Sequence, residues 1–211
     1  MDFIFDFDGT IIDTKTCMES ALKETFSFYN IKVTSDNIFS RLSMKPEDIF
    51  KIEIIRNFDD KMLSEFLDMY RKLFLKKRMK EAGLFGDVLS TLNYLRNKNS
   101  RLFLISNNSH AETMKKLKLL GIESYFVDVV GSDTLTSYKP HPLPVEHLVE
   151  MYDLRKKHLF MVGDAPNDIK MAHAAHIKSC AILTGVSSYE KFELENPSYI
   201  FERISSITKL A

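Results

Sequence analysis

Asp6-Phe7-Asp8-Gly9-Thr10 directly follows the apolar run Phe3-Ile4-Phe5. Two carboxylates flanking one aromatic residue oppose each other's ionisation, and a site keeps such a pair when a cation or a proton transfer needs it. The competing reading is a polar turn capping a strand, where Asp, Gly and Thr are common. Partners elsewhere in the chain decide between the two. Three more apolar runs end in polar clusters. Ser106-Asn107-Asn108 follows Leu102-Phe103-Leu104-Ile105, and Gly163-Asp164-Ala165-Pro166-Asn167-Asp168 follows Leu159-Phe160-Met161-Val162. After Phe126–Val130 come Gly131-Ser132-Asp133 and then Tyr138-Lys139-Pro140. Together they offer hydrogen-bond donors, a positive charge and spaced carboxylates.

The elements that must position these groups are legible as alternation. Residues 3–7, 102–105, 126–130, 159–162 and 179–183 read as short strands, and 199–201 adds a last one before a closing helix over 204–210. Helical patterning fills 113–120, where Gly121 is a good stop, and recurs over 143–152 and 169–175. This alternation predicts a parallel sheet with helices on both faces, and near-continuous apolar strands fit burial on both sides. In open α/β sheets ligands bind beyond the carboxyl ends of the strands, so all four clusters would project into one crevice. Between Asp13 and about Gly86 strand-like runs give way to helical segments at 17–29, 35–42, 46–58 and 60–80; in the last, Met62, Phe66, Met69, Leu73 and Phe74 repeat at helical spacing. About seventy residues are too many for an ordinary loop. An inserted helical subdomain is expected, entered through Ile12–Thr16 and left through Gly83 and Gly86.

Composition bounds the rest. A chain of 211 residues accommodates one domain, or a domain plus an insertion, around a sizeable core. Hydrophobic content of 45% and charged content of 27% are those of an ordinary soluble globular protein. A formal net charge of zero argues against a broad nucleic-acid-binding face or an anionic-membrane binder. No apolar stretch approaches membrane-spanning length, and no secretory pattern precedes the acidic motif. Cys17 and Cys180 read as two thiols in a reducing compartment, which makes the cytoplasm the default location.

The ordered set Asp-x-Asp-Gly-Thr, Ser-Asn, Lys-Pro and Gly-Asp-x-x-x-Asp resembles the haloacid dehalogenase-like superfamily. The helical insertion after the first motif resembles its branch with a small helical cap, which includes phosphoglycolate phosphatases, pyrophosphatases and β-phosphoglucomutases. The resemblance spans essentially the whole chain. It implies an α/β fold, a Rossmann-like parallel sheet core of residues 1–14 and 84–211 with a helical cap of residues 15–83. The cap would close over the site, exclude bulk water and select the leaving group.

Phosphoryl transfer is mostly positioning and charge neutralisation, with an activated nucleophile where a covalent intermediate forms. By resemblance Asp6 is that nucleophile and forms an aspartyl-phosphate. Asp8, two residues on, points to the same side of an extended backbone. It can protonate the leaving oxygen and later deprotonate the attacking water, and crowding by other carboxylates helps it hold a proton. The Thr10 hydroxyl can orient a carboxylate and is grouped with the phosphate-binding residues. Ser106 and the Asn107 backbone amide are candidate phosphate donors, and Lys139 supplies positive charge against the phosphate and Asp6. Aspartates also belong at helix N-termini for capping reasons, which explains one of Asp164 and Asp168 better than both. In the functional reading Asp164 binds a cation directly and Asp168 supports it from behind. Oxygen-only ligands and a phosphate substrate suit Mg²⁺. The resemblance adds a carboxylate oxygen of Asp6 and the backbone carbonyl of Asp8 to its ligands.

Other groups carry less. His173 and His176 read as solvated helix-end residues, Lys76-Lys77-Arg78-Met79-Lys80 as a solvated helix turn, and Cys17 as a small buried hydrophobe. Ala175-His176 stands where relatives usually carry Ala-Gly; glycine there makes a left-handed stop that histidine adopts at a cost. In the loop Arg41–Pro46, Pro46 falls roughly where sugar-phosphomutase relatives carry a substrate-gripping arginine. That disfavours a mutase, although Arg41 or Lys45 could substitute and are candidates for specificity in the cap. The expected activity is a Mg²⁺-dependent phosphatase acting on a small phosphorylated metabolite, as a monomer or homodimer. Phosphoglycolate, pyrophosphate, a sugar phosphate and a nucleoside monophosphate stay open as substrates. A phosphomutase and a non-catalytic phosphometabolite sensor on the same fold are the alternatives.

Overall fold

Six short apolar segments build one parallel sheet in the computed structural model, which describes residues 1–39, 41–42, 44, 46–53 and 59–211. The strands are β1 (Asp2–Phe5), β2 (Leu102–Ile105), β3 (Asp128–Val130), β4 (Leu159–Gly163), β5 (Lys178–Ile182) and β6 (Tyr199–Phe201), in the order β3-β2-β1-β4-β5-β6. All five pairings are parallel, and Phe3 of β1 lies opposite both Leu102 and Phe160. Phe3, Ile4 and Phe5 are all 0% exposed, so both faces of the central strand are covered. On one face Phe3 stacks against Phe160 with ring centroids 5.4 Å apart. β1 stops at Phe5 rather than at the end of the apolar run. The Phe7 carbonyl accepts hydrogen bonds from the Ile11 and Ile12 amides, at 2.9 and 3.0 Å, and so turns the chain.

Two compact units divide the chain: Met1–Asp13 with Gly83–Ala211, and Thr14–Ala82. The second holds α1 (Lys15–Phe28), α2 (Ser35–Phe39), α3 (Pro46–Glu53) and α4 (Asp60–Glu81). α2 ends at Phe39, short of the expected 35–42; of the helix expected over 46–58, residues 54–58 lie outside the described ones. Asp59 caps α4 by accepting the Met62 amide at 2.7 Å. The Phe66 ring of α4 sits 4.9 Å from that of Phe26 in α1 and 4.6 Å from that of Phe50 in α3, and all three are buried. The basic run at the end of α4 is not uniformly solvated, which corrects the expectation. Arg78 follows Phe66 and Tyr70 on the buried i, i+4 face, Lys77 pairs with Glu24 at 2.9 Å, and Lys76 and Lys80 are exposed.

The sheet unit carries α5 (Val88–Asn97), α6 (His110–Leu119), α7 (Leu143–Met151), α8 (Pro166–Ala174) and α9 (Tyr189–Glu195). α5 and α9 have no counterpart among the expected helices. α5 buries Val88, Leu92 and Leu95 at helical spacing, whereas α9 has seven residues and buries one, Phe192. The closing segment over Ile204–Leu210 is a 3₁₀ helix. Val145 and Leu148 of α7 and Met171 and Ala172 of α8 share a core with Ile4, Phe103, Ile105, Leu159 and Met161. Every second strand residue therefore faces those two helices. Cys17 and Cys180 are buried and not joined in a disulfide, and burial pushes the Cys180 thiol up to about 12, which suppresses thiolate chemistry. Among the described residues no helix is long and apolar enough to cross a membrane.

His176 closes α8 with φ 57°, the left-handed stop anticipated at Ala175-His176. A Cβ in that conformation is costly, and glycine removes the cost while adding unfolded-state entropy. His176→Gly is therefore expected to stabilise the protein by about 0.5–1 kcal/mol, a rise of ~2 °C in the melting temperature. A thermal melt showing a decrease would assign the histidine a packing role that outweighs its backbone.

Candidate active site

The strand order reverses between β1 and β4, and in open α/β sheets the ligand crevice opens at such a point. The ladder runs one residue beyond each neighbouring strand. Asp6 donates its amide to the Val162 carbonyl at 2.8 Å, and Ser106 donates its amide to the Val130 carbonyl at 2.9 Å. Both residues thus start their loops on the rigid sheet. Gly9 then takes φ 82°, and the Thr184 hydroxyl donates to its carbonyl at 2.6 Å. Gly9 and Gly185 press against Asp164 so closely that a Cβ on either would collide with its carboxylate. Asp164 is consequently held between two backbones that only glycine permits.

Around that point lies a buried charge cluster. Lys139 donates to Asp6 Oδ1 and, at 2.7 Å, to Asp168 Oδ1. Asp168 Oδ2 accepts the Ala165 amide at 3.1 Å, so the same side chain closes the first turn of α8 and anchors the lysine. Thr10 donates its hydroxyl to Asp164 Oδ1 at 3.1 Å. Burial pushes the Lys139 ammonium down, yet Asp168 and Asp6 together outweigh it and hold the group above the ordinary lysine value. Burial raises Asp164 well above the usual carboxylate range, and the negative charges of Asp6 and Asp168 add to that. Asp168 is pushed up to about 6 by burial, with Lys139 pulling against it and Asp6 adding to the rise.

The donor set fits a divalent cation. Asp6, Asp164 and Asp168 are buried, and each offers an oxygen within 4.8 Å of the others. Three carboxylates against the single Lys139 ammonium leave two negative charges, which a divalent ion would neutralise. Hard oxygen donors favour ions of the Mg²⁺ type over softer metals.

Of the residues expected at the site, Asp6, Asp164, Asp168, Lys139 and Thr10 fall in this cluster, with the Thr10 hydroxyl on Asp164. Asp8 and Ser106 meet through Asn108: its Nδ2 donates to Asp8 Oδ2 at 2.6 Å and to Ser106 Oγ at 3.2 Å. Asn107 is exposed at the same turn. In the helical unit Arg41 is ion-paired with Glu53, and Lys45 lies outside the described residues. Asn108, Thr184 and Gly185 were not singled out from sequence. Asn108 stood inside a recognised polar turn, but its partner is a hundred residues away in the chain. Thr184-Gly185 follows β5, and the fact that a polar residue and a glycine end that strand was the available hint.

A family model described as haloacid dehalogenase-like hydrolase matches residues 3–182. The protein is a haloacid dehalogenase-like hydrolase. Its similarity to known relatives runs the length of the chain. It is 27% identical to pyrophosphatase PpaX of Oceanobacillus iheyensis, over 97% of this chain and 93% of that protein. It is equally 27% identical to a phosphoglycolate phosphatase of Aquifex aeolicus, over 98% and 94%. A haloacid dehalogenase-like hydrolase from Streptococcus pneumoniae shares the fold with a TM-score of 0.82 at 21% identity, covering 99% of this chain and 96% of the other. A helical unit is inserted between β1 and β2 of this hydrolase. The candidate site of this hydrolase is built on aspartates.

Proposed function

We propose that this hydrolase is a Mg²⁺-dependent phosphatase that releases phosphate from a small phosphorylated metabolite. One observation carries the reading: Asp6, held by the sheet at its backbone and by Lys139 at its side chain, stands two residues from a half-buried Asp8. Asp168 already accepts from Lys139 and the Ala165 amide, so Asp6 and Asp164 would hold the metal by their side chains, with the Asp8 backbone carbonyl that the family resemblance implies. When bound there, Mg²⁺ supplies the positive charge that offsets the phosphoryl oxygens. Asp6 attacks phosphorus, the bond to the leaving oxygen breaks, and Asp8 passes its proton to that oxygen. Asp8 then takes a proton from water as the water oxygen attacks the aspartyl-phosphate and the bond to Asp6 breaks. Ser106 and the Asn107 amide donate to phosphate oxygens, and Lys139 balances the charge of Asp6. Thr10 holds Asp164 in place.

The names of the curated relatives, pyrophosphatase and phosphoglycolate phosphatase, support a small, strongly anionic substrate. Two buried cysteines outside any disulfide support a reducing, cytoplasmic setting. With Mg²⁺ present, the purified protein is expected to hydrolyse an aryl phosphate and to stop when the metal is chelated. A panel of phosphoglycolate, pyrophosphate, sugar phosphates and nucleoside monophosphates, read as free phosphate against transferred phosphate, names the substrate. Transfer to a second sugar hydroxyl with little net release would replace the phosphatase by a phosphomutase, and no turnover with any divalent metal would remove the enzymatic reading.

A further inference from the structure

We infer that Asn108 is a positioning residue that fixes the Asp8 carboxyl and turns the Ser106 hydroxyl toward the phosphate. The inference rests on the acid–base role of Asp8 proposed above. Asn108 makes three hydrogen bonds to two groups: Nδ2 to Asp8 Oδ2 at 2.6 Å, Nδ2 to Ser106 Oγ at 3.2 Å, and its backbone amide to the same Oγ at 3.1 Å. A hydroxyl has two lone pairs and one hydrogen. Asn108 fills both lone pairs of Ser106, so the single hydrogen of that hydroxyl points away from Asn108. Ser106 is 2% exposed and fixed by its ladder bond to Val130, which leaves it little other freedom.

The second consequence falls on Asp8. Each hydrogen of the Asn108 amide has one acceptor, Ser106 or Asp8. An Asp8 oxygen that accepts from Nδ2 cannot also present a proton in that direction. The same contact persists after the proton leaves, because Oδ2 is an acceptor in both states. Asp8 thus keeps one rotamer through both halves of the reaction, and such preorganisation is what an acid that must later act as a base requires. Asp8 is half-buried, and the Asn108 amide holds one of its carboxyl oxygens.

The test is leaving-group dependence. Asn108→Leu keeps the volume and removes the side-chain donor; Asn108→Ala removes it too, without a bulky group, and guards against a folding failure of the first variant. With Mg²⁺, kcat/KM is measured on an activated aryl phosphate and on an alkyl phosphate, beside wild type and Asp8→Asn. The alkyl substrate needs its leaving oxygen protonated and the activated aryl substrate hardly does. Each Asn108 variant is expected to lose about 30- to 100-fold on the alkyl phosphate and under about 5-fold on the aryl one, on the scale of general acid catalysis. Equal losses on both substrates, with Asp8→Asn still discriminating, would overturn the inference and leave Asn108 a structural residue. If Asp8→Asn itself fails to discriminate, the acid–base reading falls and takes this inference with it.

Discussion

Asp6→Asn is expected to give a folded protein that releases no phosphate. The amide is isosteric with the carboxylate but is a poor nucleophile, and it removes one of three crowded negative charges rather than adding one. Lys139 keeps its bond to Asp168, so the buried ammonium is not stranded. Turnover should fall by about four orders of magnitude or more, the scale seen when a covalent nucleophile is lost. The melting temperature should stay at or above that of the wild type. Phosphate release and a thermal melt check both halves, and residual activity above about a thousandth of wild type would refute the assignment of the nucleophile.

Lys139→Ala is expected to damage stability as well as activity. Removing one partner from a buried ion network leaves the other charges uncompensated, at a cost of about 3–5 kcal/mol. For a chain of this size that is a fall of ~6–20 °C in melting temperature. The pH dependence follows from the shifts. Lys139 lies above the ordinary lysine value, so its contribution is intact through neutral pH and fades only in alkali. Asp168 lies above the usual carboxylate value, at about 6, so its protonated form stabilises the fold most below about pH 4, and that stability is lost as pH rises through 6. The variant's deficit should accordingly be small near pH 4 and full by pH 8. Melting curves at both pH values, with the deficit unchanged between them, would show that Lys139 acts through packing rather than charge.

Most strands were legible because they are buried on both faces and read as unbroken apolar runs. Their ends were less so: Phe7 belongs to the apolar run but not to β1, since its carbonyl is claimed by Ile11 and Ile12. α9 escaped because one buried phenylalanine makes no pattern. α5, with Val88, Leu92 and Leu95 in register, carried a readable pattern that the glycines before it obscured. In the functional cluster the residue types at strand ends were readable one by one. What could not be read was who meets whom. The bridging of Asp6 and Asp168 by Lys139, the reach of Asn108 to Asp8 and the bond from Thr184 to Gly9 depend on strand order, which local sequence does not encode.

Strand order also sets a timetable. β1 lies near the start of the chain yet occupies the middle of the sheet, and Phe3 is covered only when Leu102 and Phe160 arrive beside it. At ~5–20 residues per second of translation, β4 follows β1 by about ten to thirty seconds. Until β2 follows, Phe3-Ile4-Phe5 has no strand to pair with, its β4 side stays open for the whole interval, and the helical unit between β1 and β2 is complete first. The segment that carries Asp6 and Asp8 is therefore made well before the strand that closes its second side, and a nascent chain stalled before β4 would leave that side of β1 open to whatever chaperone or neighbour is at hand.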